Sequence, residues 1–420
     1  MKTNIWIMNH HAGGMFFNKG GRHYWFAKYL EKNGYKPVVF CANSKHGSKP
    51  ECFFDNTPLW HEHMAEEINT PFVFVRARTY VGNGKSRVLN MLDFYFNVKK
   101  AAKEYAKLHG KPDVIYASSV HPLTLVAGIK LAKYFGVKCV CEVRDLWPES
   151  IVAYGFLKKE SLLAKILYQG EKWIYKKADA LIFTFEGGAQ YIIDKGWDWL
   201  HGGPIDINKV HHISNGVDLD MFIENRKRYH LDDEDLHNND IFKVVYAGSI
   251  RHVNHLGTLL DAAKLIKDNK IKFFLFGDGD EVPRLKQRVL DEHINNVVFK
   301  GQVDKKYIPY IDSCADLNLV NVQQTPLTQF GESLNKTFEY FAAQKPVFYT
   351  FRPNYSIAEK FGCGRLTKGF SAEDMAEGIE SFLNMADEER NLMSENAWKA
   401  AQTYDFKVLT QKLINVVENL

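Results

Sequence analysis

The stretch GESLNKTFEYFAAQKPVFYT at residues 331–350 decides how the rest of the chain is read. A glycine-led polar loop opens an amphipathic helix, and Gln344-Lys345-Pro346 turns it into a short apolar strand. Loop, helix and strand in that order form the repeating unit of an α/β protein with a parallel sheet. The first helical turn leaves backbone N–H groups without helical partners. Asn335 and Lys336 add a polar side chain and a positive charge there, a combination that suits a phosphate. Glu339 follows one turn later, where a carboxylate meets sugar or ribose hydroxyls rather than the phosphate. The competing reading is an ordinary helix whose Phe338 and Phe341 pack on a sheet, and the stretch alone leaves both open.

The rest of the second half repeats the pattern. Residues 243–247 read as a strand followed by Gly248-Ser249-Ile250-Arg251, and 272–276 as a strand followed by Gly277-Asp278-Gly279-Asp280. Helices are expected at 256–267, 282–291 and 305–313, with strands at 297–300 and 316–320. Three further helices, at 371–384, 386–402 and 406–420, finish the chain.

The first half alternates in the same way. The apolar run at 3–8 is a strand, followed by Asn9-His10-His11-Ala12-Gly13-Gly14, then Gly20-Gly21, and a helix at 22–32. The glycine spacing is not G-x-G-x-x-G and no acidic residue ends the next strand at 37–41, which argues against a nicotinamide cofactor. Residues 42–70 read as irregular and polar. His46, His61 and His63 fall there, and His-Glu-His at 61–63 lacks further ligands at metal spacing, so surface histidines are expected and no metal site. A strand at 72–75 precedes a long helix at 87–108, whose aromatic patch at 92–96 is assigned to the core.

A strand at 113–117 ends in Ser118-Ser119-Val120-His121-Pro122, with Pro122 opening a helix. His121 thus stands at the carboxyl end of a buried strand, where α/β proteins bind ligands; catalysis and helix capping both fit it. The strand at 138–142 runs into EVRDLWPES, which gathers Glu142, Arg144, Asp145 and Glu149. Such charges are costly to desolvate unless paired or bound, so Arg144 with Asp145 is either a structural ion pair or an acceptor-binding group. The helix at 162–177 carries Lys165, Lys172, Lys176 and Lys177 among Leu, Ile, Trp and Tyr, a pattern shared by half-buried domain helices and interfacial helices. Strands at 180–185 and 211–215 close this half, and the charged segment 223–240 reads as a surface linker.

At 420 residues the chain exceeds what one core usually serves, and two domains are expected. The hydrophobic fraction of 45% and charged fraction of 25% fit a globular protein. No apolar run reaches the length of a membrane span, and MKTNIWIMNHH turns polar too soon for a signal peptide, so a cytoplasmic location is expected. Cys41, Cys52, Cys139, Cys141, Cys314 and Cys363 lack metal-type spacing and read as buried thiols. Residues 1–215 hold 29 Lys and Arg against 19 Asp and Glu, a balance of +10, whereas the remainder holds 25 against 31, a balance of −6. The basic half suits an anionic membrane surface or a pyrophosphate-bearing acceptor. No feature points to nucleic acid.

With these units placed, the chain resembles the GT-B-fold retaining glycosyltransferases of family 4, in the bacterial cell-surface polysaccharide branch. The resemblance rests on GGRHYWFAKYL, EVRDLWPES, ADALIFTFEGG, HISNGVDLDMF, VVYAGSI, FFLFGDGDEVPRL and SLNKTFEYFAAQKPV. It implies two Rossmann-like domains with parallel sheets facing a central cleft. The expected parts are residues 1–215 for the acceptor, a linker at 216–240, residues 241–402 for the nucleotide sugar, and a helix at 403–420 crossing back to the first domain. It further implies transfer of a hexosyl or N-acetylhexosaminyl group from a nucleoside-diphosphate sugar to a glycan or lipid-linked glycan, with no cofactor and no metal. The expected place is the inner membrane face, by peripheral association.

Transferred by position, Gly21, Ser249, Gly277, Asp278, Glu332, Ser333, Leu334, Asn335, Lys336 and Glu339 resemble the donor-binding set. His121, Lys336 and Arg251 resemble the catalytic set, and Arg144, Asp145 and Glu149 are the acceptor candidates. Glu339 matches the second glutamate of the E-x7-E motif. The chain departs at the first, since Gly331 holds that register and Glu332 comes one residue late. Two other readings of the scaffold are a sugar-nucleotide 2-epimerase and a non-catalytic sugar-nucleotide-binding subunit.

Overall fold

A computed structural model of the chain describes residues 3–45, 49–82, 84–119 and 121–420. It divides into two compact units: residues 1–214 with 409–420, and residues 215–408.

The first unit is built on an eight-stranded sheet. In chain order the strands are β1 (Asn4–Met8), β2 (Lys36–Ala42), β3 (Trp60–Ala65), β4 (Thr70–Val75), β5 (Val114–Ser118), β6 (Lys138–Val143), β7 (Ala180–Phe183) and β8 (Val210–His212). Their spatial order is β3-β4-β2-β1-β5-β6-β7-β8, parallel throughout except for β3 against β4. Strands covered on both faces read as continuous apolar runs. Ile5-Trp6-Ile7-Met8 and Val39-Phe40-Cys41-Ala42 are accordingly buried. Gly128 lets helix Pro122–Phe135 lie close on the sheet, since a Cβ there would meet that of Ala117 at 2.5 Å. The terminal helix Phe406–Glu418 ends against this unit, where the Tyr35 hydroxyl donates to Glu418 at 2.6 Å.

The second unit holds six parallel strands: β9 (Phe242–Ala247), β10 (Ile271–Phe276), β11 (Val297–Gly301), β12 (Leu317–Val320), β13 (Val347–Tyr349) and β14 (Gly364–Leu366), ordered β11-β10-β9-β12-β13-β14. Its core joins Val244, Tyr246, Leu259, Phe273, Leu275, Leu319 and Phe348 with apolar residues of the covering helices.

Each sheet reverses its order once. The first turns between β1 and β5, the second between β9 and β12. At such a switch the loops leave in opposite directions and open a crevice beyond the carboxyl ends of the strands.

Several expectations need correction. Residues 42–70 are not all irregular, because β3 forms there as an antiparallel edge strand containing His61, Glu62 and His63. Successive strand residues point to opposite faces, which separates Glu62 from the two histidines. Among the described residues no group of His, Cys, Asp and Glu is placed to hold a metal. His46 and Val120 lie outside the described residues. A short helix, Gly13–Phe17, forms within the first glycine-rich loop. The segment expected as a linker is partly helical, at Leu219–Arg228 and Glu234–His237, and Lys300 binds it through Asp233 at 2.8 Å and Asp235 at 2.6 Å. Cys52 and Cys314 are half-buried rather than buried, and Phe96 is exposed although Phe94 and Tyr95 enter the core.

Candidate active site

In the second unit the chemistry gathers at the switch between β9 and β12. Strand β9 exits through Gly248 and Ser249, and helix Asn335–Ala342 presents its first turn there. Lys336 stands in that turn with Nζ 3.7 Å from the centroid of the Tyr246 ring. A Cβ on Gly248 would meet the same nitrogen at 2.7 Å, so the glycine leaves room for the ammonium. That nitrogen is shielded from solvent and has no hydrogen-bond partner among the described residues. Burial pushes the Lys336 pKa down to about 7, against the attraction of Glu339 and Asp312. A buried ammonium that lacks a partner is a costly arrangement, which an anion would relieve.

Two carboxyls share this surrounding. Asp312 is fully buried with neither oxygen hydrogen-bonded among the described residues; burial, then the charge of Glu339, holds its pKa well above the usual range. Glu339 is also raised by burial, with Lys305 and Lys336 opposing. Tyr340 fixes the helix to the sheet: its hydroxyl accepts from the Ala247 N–H at 2.9 Å and donates to the Ala247 carbonyl at 3.3 Å.

The neighbouring loops approach backbone to backbone. Gly277 has φ +137°, and a Cβ there would fall 1.8 Å from the Gly248 carbonyl oxygen, so only glycine fits. The Asp278 carbonyl accepts from the Ile250 N–H at 2.9 Å, while its carboxylate accepts from the Gly279 N–H at 2.8 Å. Asn254 organises the turn after β9, accepting from the Ser249 hydroxyl at 3.1 Å and the Arg251 N–H at 3.2 Å. The Arg251 side chain itself is exposed.

The loop before the helix is braced from within the chain. Glu332 accepts from the Leu334 N–H and from the Tyr349 hydroxyl, both at 2.9 Å, and burial pushes its pKa up to about 7. Both its oxygens therefore shape the loop. The Ser333 hydroxyl accepts from the Asn215 N–H at 2.7 Å, and its carbonyl accepts from the Asn215 side chain at 2.6 Å. Leu334 caps the helix, and Asn335 is exposed at its first position.

In the first unit the switch lies between β1 and β5, and it brings together two histidines 111 residues apart in sequence. His10 Nδ1 lies 2.6 Å from His121 Nε2. Burial, then Arg87, pushes His121 down to about 3; burial, with His11 and His121, holds His10 well below its ordinary value. Both rings are therefore neutral near pH 7, and one proton lies between them. His121 is also the residue preceding helix Pro122–Phe135, and its side chain makes no cap hydrogen bond, so of the two roles open to it capping falls away.

The four charges of the 142–150 segment do not act together. Glu142 lies in the core, bound by Arg22 through Nε at 2.8 Å and Nη2 at 2.6 Å, by the Ser118 hydroxyl at 2.7 Å, and by the Tyr116 hydroxyl. Gly21, at φ +112°, starts the helix that delivers Arg22. Arg144 and Asp145 form no ion pair; the Arg144 N–H donates to the Ser119 hydroxyl at 2.9 Å, and Asp145 borders a small cavity with Trp147 and Glu171. Glu149 accepts from the Tyr168 hydroxyl at 2.7 Å and from Lys195 at 2.5 Å, which hold its carboxyl below the usual range against burial. These bonds tie it into the packing of its own unit.

Residues without an assigned role in the sequence reading carry part of both clusters. His10 was visible only as part of a His-His pair, Tyr246 only as a strand residue, and Asp312 only as the end of a helix. Their spacing from His121 and Lys336 matches no local motif, so only the fold brings them in.

Each of the two α/β units carries a polar cluster at the switch point of its sheet, a buried lysine in the second and a histidine pair in the first. The model described as "Glycosyltransferase Family 4" matches residues 24–221, and that described as "Glycosyl transferases group 1" matches residues 230–400. The chain belongs to these family 4-like glycosyltransferases of GT-B fold. Among similar proteins are the probable glycosyltransferase WbjE of Pseudomonas aeruginosa, 24% identical over 63% of this chain and 62% of its own, and the putative teichuronic acid biosynthesis glycosyltransferase TuaH of Bacillus subtilis, 25% identical over 66% and 65%. The matched region thus spans a little under two thirds of either relative. HepE of Anabaena, solved with UDP and glucose, shares the fold at a TM-score of 0.66 and 16% identity, with 100% of both chains covered.

Proposed function

We propose that this chain is a retaining glycosyltransferase that moves a hexosyl or N-acetylhexosaminyl group from a nucleoside-diphosphate sugar to a glycan or lipid-linked glycan during cell-surface polysaccharide synthesis. The observation that carries this reading is the solvent-shielded, unpartnered ammonium of Lys336 in the first turn of helix Asn335–Ala342, beside Gly248. HepE's complex with UDP and the name of TuaH support the donor class and the pathway class.

The chemistry follows from charge. As the bond between the anomeric carbon and the phosphate oxygen breaks, the electron pair leaves with the diphosphate. The acceptor hydroxyl attacks from the same face and its proton passes to the departing phosphate. Lys336, the helix N–H groups and the exposed Arg251 stabilise the growing negative charge. The incoming diphosphate raises the Lys336 pKa and keeps it charged. Glu339, one turn on, takes the ribose hydroxyls, and His121 is the candidate catalytic group of the first unit. No metal is required, and the enzyme works in the cytoplasm at the inner membrane face.

A thermal-shift panel of UDP-, GDP- and dTDP-sugars tests the donor class. A ligand at about 100 times its dissociation constant stabilises by roughly 2.7 kcal/mol, and a silent panel rejects the proposal. Transfer that persists in EDTA supports metal independence. The engagement of both Glu332 oxygens favours, as second reading, a sugar-nucleotide binder without turnover. Donor binding with no transfer to any lipid-linked acceptor selects it.

A further inference from the structure

Helix Leu162–Lys177 has the amphipathic pattern of a domain helix, but part of its apolar content faces outward. Ala164, Glu171, Ile174 and Tyr175 are buried, as a covering helix requires. On the opposite side Leu162 is 75% and Ile166 58% exposed, and Trp173 is exposed with them. These three recur at helical spacing, four and seven residues apart, and form one stripe. Phe156, in the turn before the helix, is 84% exposed. Lys172 reaches over the Trp197 ring at 6.0 Å, and the short turn that follows leaves Trp199 63% and Leu200 92% exposed.

The exposed charges of the helix itself have one sign, with Glu160 the exposed carboxylate just before it. Lys165, Lys176 and Lys177 are exposed, Lys172 half so, and none of the four has an ion-pair partner among the described residues. Glu171 is the helix's only carboxyl group. It points inward, takes hydrogen bonds from Tyr175 at 2.7 Å and Tyr191 at 2.9 Å, and is pushed up to about 8 by burial.

We infer that this face docks on an anionic lipid surface, with Leu162, Ile166 and Trp173 entering the headgroup boundary and the lysines meeting lipid phosphates. Charge selects this occupant. A two-fold contact with a second copy would set the same unpaired lysines against each other, whereas an anionic membrane offers apolar depth and negative charge together. No helix among the described residues is long and apolar enough to cross a membrane, so the contact lies at the surface. The inference rests on the proposed use of a lipid-linked acceptor only in its purpose; the surface stands on exposure and charge.

The test is sedimentation of the full chain with vesicles of phosphatidylcholine alone and of phosphatidylcholine with phosphatidylglycerol. The wild type is expected to pellet with the second, less so as salt rises, and to stay in solution with the first. K165E/K172E/K176E should weaken binding by at least about fivefold for each lysine lost. I166S/W173S should also weaken it, while both variants keep the wild-type melting temperature and the wild-type rate on a water-soluble acceptor. Equal binding to both vesicles, binding to neither, or variants that bind like the wild type would overturn the inference. So would a dimer in solution that I166S/W173S dissolves, which gives the face to a second copy. Lipid binding in the expected pattern by a chain that transfers no sugar would leave the docking face standing and reject the proposed function.

Discussion

Replacing Lys336 with methionine separates a residue kept for the ligand from one kept for the fold. The methionine fills nearly the same volume without the charge. In the free protein burial lowers the Lys336 pKa from 10.5 to about 7. Each pKa unit is worth about 1.36 kcal/mol, so the charged form opposes folding by up to roughly 5 kcal/mol below pH 7. That figure is already net of its attraction to Glu339 and Asp312, and replacement of buried charges by apolar side chains commonly stabilises by about 1–4 kcal/mol. The sign with pH follows. Between pH 7 and 10.5 the unfolded chain binds a proton that the folded chain has released, so wild-type stability from this group rises through that window. The gain from Lys336→Met should therefore be largest below pH 7 and vanish near pH 10.5. Transfer should fall about 100- to 1,000-fold, as when one donor to a developing anion is removed. Chemical denaturation at pH 6, 8 and 10, with transfer rates and UDP titrations on the same preparations, reads all three. A variant that is less stable than the wild type and still transfers sugar would refute the assignment, since Lys336 would then be a structural residue.

Glu339→Gln should keep the fold and weaken donor binding by about tenfold, the scale of a hydrogen bond to a charged group, read by titration with UDP. Arg22→Met should cost about 3–5 kcal/mol in denaturant melts because it strands the Glu142 carboxylate in the core; unchanged stability would remove the pair from the account. Gly277→Ala should destabilise the second unit and abolish donor binding, because its Cβ has no room beside the Gly248 carbonyl. His121 and His23, lowered by burial to about 3 and about 4, bind protons in the unfolded chain before they do so in the folded one. Stability should therefore fall as pH drops from about 6.5 toward 4, and His121→Asn should flatten that slope; a melting temperature constant over this range would contradict the buried neutral histidines.

Local sequence determined the alternation of strand and helix, because both signals lie within a few residues of each other. Helix Leu162–Lys177 and helix Arg22–Lys32 have the limits their patterns give. The polar strand Trp60–Ala65 escaped because an edge strand with one wet face lacks an apolar run, and the charged helix Leu219–Arg228 because only Leu219 and Phe222 enter the core. The helix start at Asn335–Lys336 was legible for the same local reason: N–H groups, charge and loop are neighbours in sequence. Tertiary structure alone decided what surrounds it. The contact of His10 with His121, the Tyr246 ring beneath Lys336, and the turning of Glu142, Glu149 and Glu332 into their own packing all join residues from separate strands and loops. Burial fixes their charge states, and burial belongs to the folded chain as a whole.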